Sequence, residues 1–293
     1  MPDRSEHSTV ADETIGSNRE TVSPHLTRIA QFPIKSLDPV FVESARLDDG
    51  PGAVTGDREF AIVDTDGEFV NGKRTAAVHR LRASFDPDRR TARLHEEGAN
   101  EATGVEFALD RESGRKDAAD WLADYFGFEV RLCRRDPGGF PDDTGRPGPT
   151  VISTGTIREI AEWFEFDVHE TRLRFRANLE VGGVPPFWED RLVADHGKVV
   201  RFRIGETPLH GVNPCQRCVV PSRDPYTGEE LPGFRETFVE KRRETRPEWT
   251  DANRFDHLFR VMVNTDVPPA GRGSRLRVGD PVVVDGIRPK PDA

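Results

Sequence analysis

Cys215 and Cys218 lie in the run Asn213-Pro214-Cys215-Gln216-Arg217-Cys218-Val219-Val220-Pro221-Ser222-Arg223-Asp224-Pro225-Tyr226-Thr227-Gly228, and a C-x-x-C pair is compatible with several chemistries. A structural zinc site needs four ligands, usually two cysteine pairs or a cysteine pair with a histidine pair. Here Cys133 and His210 would have to complete the set, at spacings that match no standard pattern. A thioredoxin-like redox pair needs its C-x-x-C at a helix N-terminus, whose positive end lowers the thiol pKa. Pro221 and Pro225 oppose a helix there. The third chemistry is a single thiolate ligand to a soft metal, with the other cysteine a small buried neighbour. Arg217 beside Cys218 would favour that thiolate electrostatically. Two inert core cysteines fit the spacing as well. Asp224 in the same run would relay protons or orient the cysteine loop, and Asp-Pro-Tyr-Thr-Gly is also good turn chemistry.

Such residues must be held by surrounding elements, and the chain reads as β-rich. Leu26–Ile34, Val40–Leu47, Arg58–Asp64, Leu81–Asp86, Thr91–Glu96 and Val105–Leu109 are short, partly alternating apolar runs bounded by Pro, Gly and Asp turns. Strands so closely spaced predict an antiparallel barrel or sandwich. A helix is predicted over Lys116–Phe126, with Ala118, Trp121, Leu122 and Tyr125 on one face, followed by a strand over Phe128–Arg134. Asp136–Pro149 is dense in Pro, Gly and Asp and reads as a linker. A second unit starts near Thr150. In it Ser153 or Thr154 caps a helix through Phe164. Strands follow at Ala177–Gly183, Lys198–Gly205, His257–Asn264 and Asp280–Gly286, with a surface helix over Arg235–Glu244. The expected organisation is a disordered acidic tail over 1–23, a β-barrel unit over 24–135, a linker over 136–149, a second β-barrel unit over 150–288 and a short tail over 289–293. The fold class is mostly β with a few helices, α+β.

Composition narrows the function classes. The 293 residues carry a net charge of −10, which argues against general nucleic-acid binding. No apolar run approaches the ~20 residues of a membrane helix. With no basic-then-apolar signal pattern at the N-terminus, a soluble cytoplasmic protein is expected. Three cysteines are too few for a disulfide scaffold, which fits a reducing cytosol. Lysine is scarce beside arginine, and with the many Asp and Glu this points to a salt-rich, halophilic cytoplasm where surface repulsion is screened.

The wider pattern around Cys218 resembles a known family. Arg217-Cys218 followed by Asp224-Pro225-Tyr226-Thr227-Gly228 is similar to the R-C-x-x-x-x-x-D-P-x-T-G signature of the MOSC-domain proteins related to the mitochondrial amidoxime-reducing component. Phe32-Pro33-Ile34-Lys35-Ser36 and Gly56-Asp57-Arg58-Glu59-Phe60 resemble motifs of that family's N-terminal barrel. Phe175-Arg176-Ala177-Asn178 resembles its F-R-P-N, and Val278-Gly279-Asp280-Pro281-Val282 its closing V-G-D-P-V. The matches fall in family order from about Leu26 to Gly286. The chain departs from the close relatives at Pro221 and Ser222, where two threonines are usual, and at Ala177.

The resemblance implies two β-barrel domains enclosing a molybdenum–pyranopterin cofactor (Mo-molybdopterin), with Cys218 as the metal ligand and Cys215 its neighbour. That cofactor ends in a phosphate, so its pocket must accept an anion. Lys35, Ser36 and Arg58, with Arg74 beside them, would reach it from the first unit. Ser153 and Thr154, at a predicted helix start whose free N–H groups bind anions, and Arg176, Asn178 and Arg217 would reach it from the second. The implied activity is an oxidoreductase that takes oxygen from a small N-hydroxylated substrate, the metal cycling between Mo(IV) and Mo(VI). The chain has neither a cysteine-rich iron–sulfur segment nor a G-x-G-x-x-G fingerprint, so a separate ferredoxin- or flavin-type donor is expected. The alternative is a non-catalytic sulfur or cofactor carrier using Cys218, since MOSC domains also resemble part of the molybdenum cofactor sulfurases. Pyridoxal phosphate, sometimes associated with the family, finds no lysine here in a recognisable Schiff-base setting.

Overall fold

The computed structural model describes residues 23–142 and 147–290. Residues 1–22 of the expected acidic tail, four residues of the linker and the last three residues lie outside that range. The first unit contains β1 (His25–Gln31), β2 (Val40–Val42), β3 (Ser44–Arg46), β4 (Phe60–Asp64), β5 (Leu81–Asp86), β6 (Thr91–Glu96), β7 (Val105–Ala108), α1 (Glu112–Phe126) and β8 (Val130–Arg134). The second contains β9 (Val151–Ser153), α2 (Thr154–Phe164), α3 (Val168–Phe175), β10 (Leu179–Gly182), β11 (Lys198–Ile204), β12 (Thr207–Gln216), α4 (Phe234–Glu244), β13 (Arg260–Asp266), β14 (Arg275–Arg277) and β15 (Val282–Pro289). The protein is thus mostly strands with four helices among the described residues, an α+β fold. No helix among them is long and apolar enough to cross a membrane.

The linker divides the chain but not the sheets. β1 pairs antiparallel with β10, Ile29 opposite Leu179, and enters an eight-stranded sheet of order β15-β11-β12-β13-β9-β10-β1-β2. β3 pairs with β14, Ala45 opposite Leu276. Leu26, Ile29, Ala45 and Leu47 therefore pack in one core with Val151, Leu179, Phe202 and Leu276. What stays separate in the first unit is the β4–β8 pair, the β5-β6-β7 sheet and α1, closed over Phe60, Ile62, Leu81, Leu94 and Leu122.

α1 begins at Glu112, a turn before the predicted start, and ends at Gly127, whose φ of 77° lets the chain leave the helix left-handed. Its first turn hides from an apolar pattern because the buried residue there is Gly114. A Cβ at that position would stand 2.1 Å from the Ala108 carbonyl oxygen. Ser153 caps α2 as expected, accepting from Thr156 N. α3 and β12 have no counterpart in the sequence reading. α3 starts where Asp167 accepts from the His169 and Glu170 amides. Its buried face is Thr171, Arg174 and Phe175, an apolar stripe too thin to read. β12 carries Pro208, Gly211 and Pro214, residues that ordinarily argue against a strand. Gly211 is required because a Cβ would meet the Leu192 carbonyl oxygen at 2.0 Å.

Candidate functional site

The two barrel motifs of the first unit are tied together by backbone. Phe32 N donates to Asp57 Oδ1 at 2.8 Å, Arg58 N to the Phe32 carbonyl at 2.7 Å and Lys35 N to the Phe60 carbonyl at 2.7 Å. Arg58 adopts φ 51° and Ser36 φ 76°, so both sit in turns in the left-handed region. The result is a buried cationic seam. Lys35 is 8% exposed and Arg58 7%. Arg176, the left-handed residue (φ 59°) that ends α3, joins them from the second unit. The Phe32 ring lies between two guanidinium groups, Arg176 Cζ at 4.1 Å and Arg58 Cζ at 5.0 Å from its centroid.

Two carboxylates face these cations. Asp57 pairs with Arg58. Asp142, on the loop after β8, pairs with Lys35 and stands 3.6 Å from Arg58. Lys35 also donates to the Phe140 carbonyl at 3.1 Å. Burial depresses the Lys35 ammonium despite its Asp142 partner. Burial and then the neighbouring Arg58 charge lower Arg176 to about 10. Burial acts on Arg58 in the same direction, but Asp57 and Asp142 outweigh it and raise that group. Arg176 Nη2 is buried with no protein partner.

The cysteine pair sits at the end of β12, a strand rather than a helix N-terminus, which removes the thioredoxin-like reading. Cys215 Sγ lies 3.2 Å from Arg217 Nη1. Arg217, expected beside the Cys218 thiolate, thus directs that nitrogen to Cys215, while its Nη2 donates to the Phe175 carbonyl at 3.1 Å. Cys218 opens onto a polar cleft of about 430 Å³ that Arg217, Ser222, Arg235 and His257 also line. His257 Nδ1 is buried without a protein partner. Burial and the adjoining Arg260 lower its pKa, so the ring is neutral at pH 7.

The remaining candidates divide. Asp224 accepts from the Tyr226 and Thr227 amides at 2.9 and 2.8 Å. Those amides hold its carboxyl below the usual range against the opposing effect of burial. A carboxylate so held orients the loop, the second of the two roles expected for it. Arg174 completes the support, donating to the Pro221 and Arg223 carbonyls at 3.0 and 2.5 Å. Ser153 is fully buried and its hydroxyl serves as the α2 cap, so it does not present an anion site. Thr154 turns to Thr27 Oγ1 at 3.3 Å and to the Glu180 carboxylate, away from the cationic seam. Asn178 bridges the Thr150 amide and the Ala30 carbonyl, pinning β1 to the second unit. Arg74 is half exposed and pairs with Asp64 at 2.8 Å. Each of these four has a structural partner where an anion contact was expected. Sequence reasoning missed Asp142, Arg174 and His257; the first lies in a Pro/Gly-rich stretch with no pattern to mark it. The zinc reading also fails, since no group of His, Cys, Asp and Glu among the described residues could hold a metal ion. Cys133 stands opposite Ala61 in the β4–β8 pair, and His210 opposite Asp266 in the large sheet.

Comparison with known proteins agrees with this architecture. The family model of the MOSC N-terminal beta barrel domain matches residues 23–129, and that of the MOSC domain matches residues 150–283. The chain therefore carries both domains, in that order. It is homologous to the molybdenum cofactor sulfurase of Caenorhabditis elegans, 26% identical over 236 residues, or 74% of this chain and 31% of the relative. The molybdenum cofactor sulfurase of Drosophila grimshawi is 23% identical over 240 residues, 73% of this chain and 30% of the relative. The chain thus spans about a third of the curated relatives it matches. The solved YuaD protein of Bacillus subtilis aligns with 92% of this chain at 13% identity and a TM-score of 0.35, too slight a likeness to bear on function.

Proposed function

We propose that the protein binds the molybdenum–pyranopterin cofactor and acts as an oxidoreductase on small N-hydroxylated compounds, with electrons from a separate ferredoxin- or flavin-type protein. The observation that carries this reading is the Arg176 guanidinium, buried beside Lys35 and Arg58 with one nitrogen unpartnered. A buried donor without an acceptor costs about 1–3 kcal/mol, so the arrangement fits an anionic ligand group. Lys35, Arg58 and Arg176 would hold the terminal phosphate, and Cys218, a thiol on a polar cleft, would hold the soft metal. When bound, the cofactor supplies two-electron redox chemistry at an open coordination position. This chain's own residues bind and orient: Phe32 spaces two of the cations, and Asp224 with Arg174 fixes the loop that carries Cys218. His257 can exchange a hydrogen bond with whatever enters the cleft. The reading includes a cytoplasmic, salt-rich setting, supported by the net charge of −10.

The test is metal and pterin content of protein purified at high salt from a host that makes the cofactor, followed by turnover of a hydroxylamine or amidoxime with an artificial reductant. Near-stoichiometric molybdenum and repeated turnover are expected. A second reading is favoured by the sulfurase relatives: a carrier of sulfur or cofactor through Cys218. Bound cofactor without turnover would select it, and absence of both metal and pterin after reconstitution would refute the proposed binding.

A further inference from the structure

We propose that Asp142 is an internal stand-in for the ligand's phosphate: its carboxylate occupies the place on Lys35 and Arg58 that an entering phosphate monoester takes, and binding displaces it. This rests on the cationic seam being the anion site. The two carboxylates of the seam are built differently. Asp57 is 11% exposed and its other oxygen accepts the Phe32 amide, so it belongs to the framework. Asp142 is 72% exposed and, among the described residues, is held in the seam by cations: it pairs with Lys35, stands near Arg58 and feels the Arg176 charge.

The backbone around it permits exchange. Phe140 is anchored, donating its amide to the Arg58 carbonyl at 2.8 Å and accepting from Lys35, with its ring against Phe69 at 5.8 Å. Asp142 lies beyond that anchor and beyond Pro141, so its side chain can leave the cations without disturbing the turns that carry Lys35 and Arg58. Charge points to the ligand class. Lys35, Arg58 and Arg176 face Asp57 and Asp142, with Asp38 also acting on Arg176. Displacing Asp142 frees the Lys35 and Arg58 donors and leaves the seam net positive, which suits an anion such as a phosphate monoester, whose second pKa is near 6. Arg176 Nη2, unpartnered while Asp142 holds the site, is the donor that a phosphate with three acceptor oxygens would satisfy and a carboxylate does not.

The experiment titrates inorganic phosphate into the full-length, cofactor-free protein by calorimetry at pH 7.5, for wild type, Asp142→Asn and Asp142→Asn with Lys35→Ala. Melting curves check that each variant folds. Asp142→Asn is expected to bind phosphate roughly one-and-a-half- to fivefold more tightly than wild type, the worth of a largely exposed competing ion pair. The double variant is expected to lose that gain, which locates the phosphate on Lys35. Equal or weaker binding by Asp142→Asn would overturn the proposal while leaving the anion site standing. No phosphate binding by either protein would overturn the anion site and the proposal together.

Discussion

At the scale of single residues, the two cysteines invite the sharpest test. Cys215 faces Arg217, whereas Cys218 opens on the polar cleft. Cys218→Ala is expected to lose bound molybdenum while retaining the wild-type melting temperature. Cys215→Ala should keep most of its metal, and equal loss in both, read by elemental analysis, would reverse the assignment. Arg176→Ala leaves the folded chain one buried cation fewer, so the apo protein should melt no lower than wild type while retained pterin falls at least tenfold. Fluorescence of the oxidised pterin measures this. Lys35, Arg58 and Arg176 were each legible in the sequence through their motifs. Arg176 could not be told from Arg172 and Arg174 by composition, because what separates them is a helix end. Arg172 pairs with Glu180 and Arg174 with Glu170, while Arg176, one step past α3, turns into the seam.

At the scale of elements, buried charge under α4 governs stability. Arg242 of α4 is fully buried, stacked 3.8 Å over the Phe187 ring and paired with Asp190. Beside it Glu189 is fully buried, its carboxyl pushed up to about 7 by burial and by the Asp190 charge. A raised carboxyl binds a proton in the folded protein that the unfolded chain releases near pH 4.5. Its contribution is therefore complete below pH 4.5 and is lost as pH rises through about 7. Glu189→Gln should flatten this fall and stabilise the protein at pH 8 by about 1–3 kcal/mol, the size of a shift of a few pKa units. Urea midpoints across pH 5–8 give the comparison, and an unchanged pH profile would show that Glu189 does not titrate there. Elements with an apolar period, such as α2 and β4, were legible to within a residue or two. β12 was not, because the tight approach to Leu192 that demands Gly211 and the prolines on either side of it erase the alternation that marks a strand.

At the scale of the molecule, the shared sheet makes the units interdependent. A chain starting at residue 147 would lose β1 and β2 from the sheet and β3 from β14, exposing the β10 edge and the faces of Leu179 and Leu276. Such a fragment should fail to give a cooperative thermal transition, although family boundaries at 129 and 150 make it look separable. A cooperative melt would show that the second unit stands alone. The net charge of −10 adds a solvent dependence. Raising KCl from 0.1 M to 1 M shortens the screening length from about 10 Å to about 3 Å, so the melting temperature should rise with salt.

The β3–β14 pairing also sets an order of events during synthesis. Ser44 meets Arg275 from 231 residues away, and β1 cannot be covered on its β10 side until the second unit has emerged. Contacts of such span slow folding, because the loop entropy is lost before the pairing is gained. On the ribosome β3 must therefore wait for β14 until almost the whole chain is made, while β1 has β2 on one side and waits for β10 on the other. The Phe32–Lys35 turn is held by the first unit, but Arg176 reaches it only after α3 has been made, so a translation product interrupted before then has no finished seam in which to trap a cofactor.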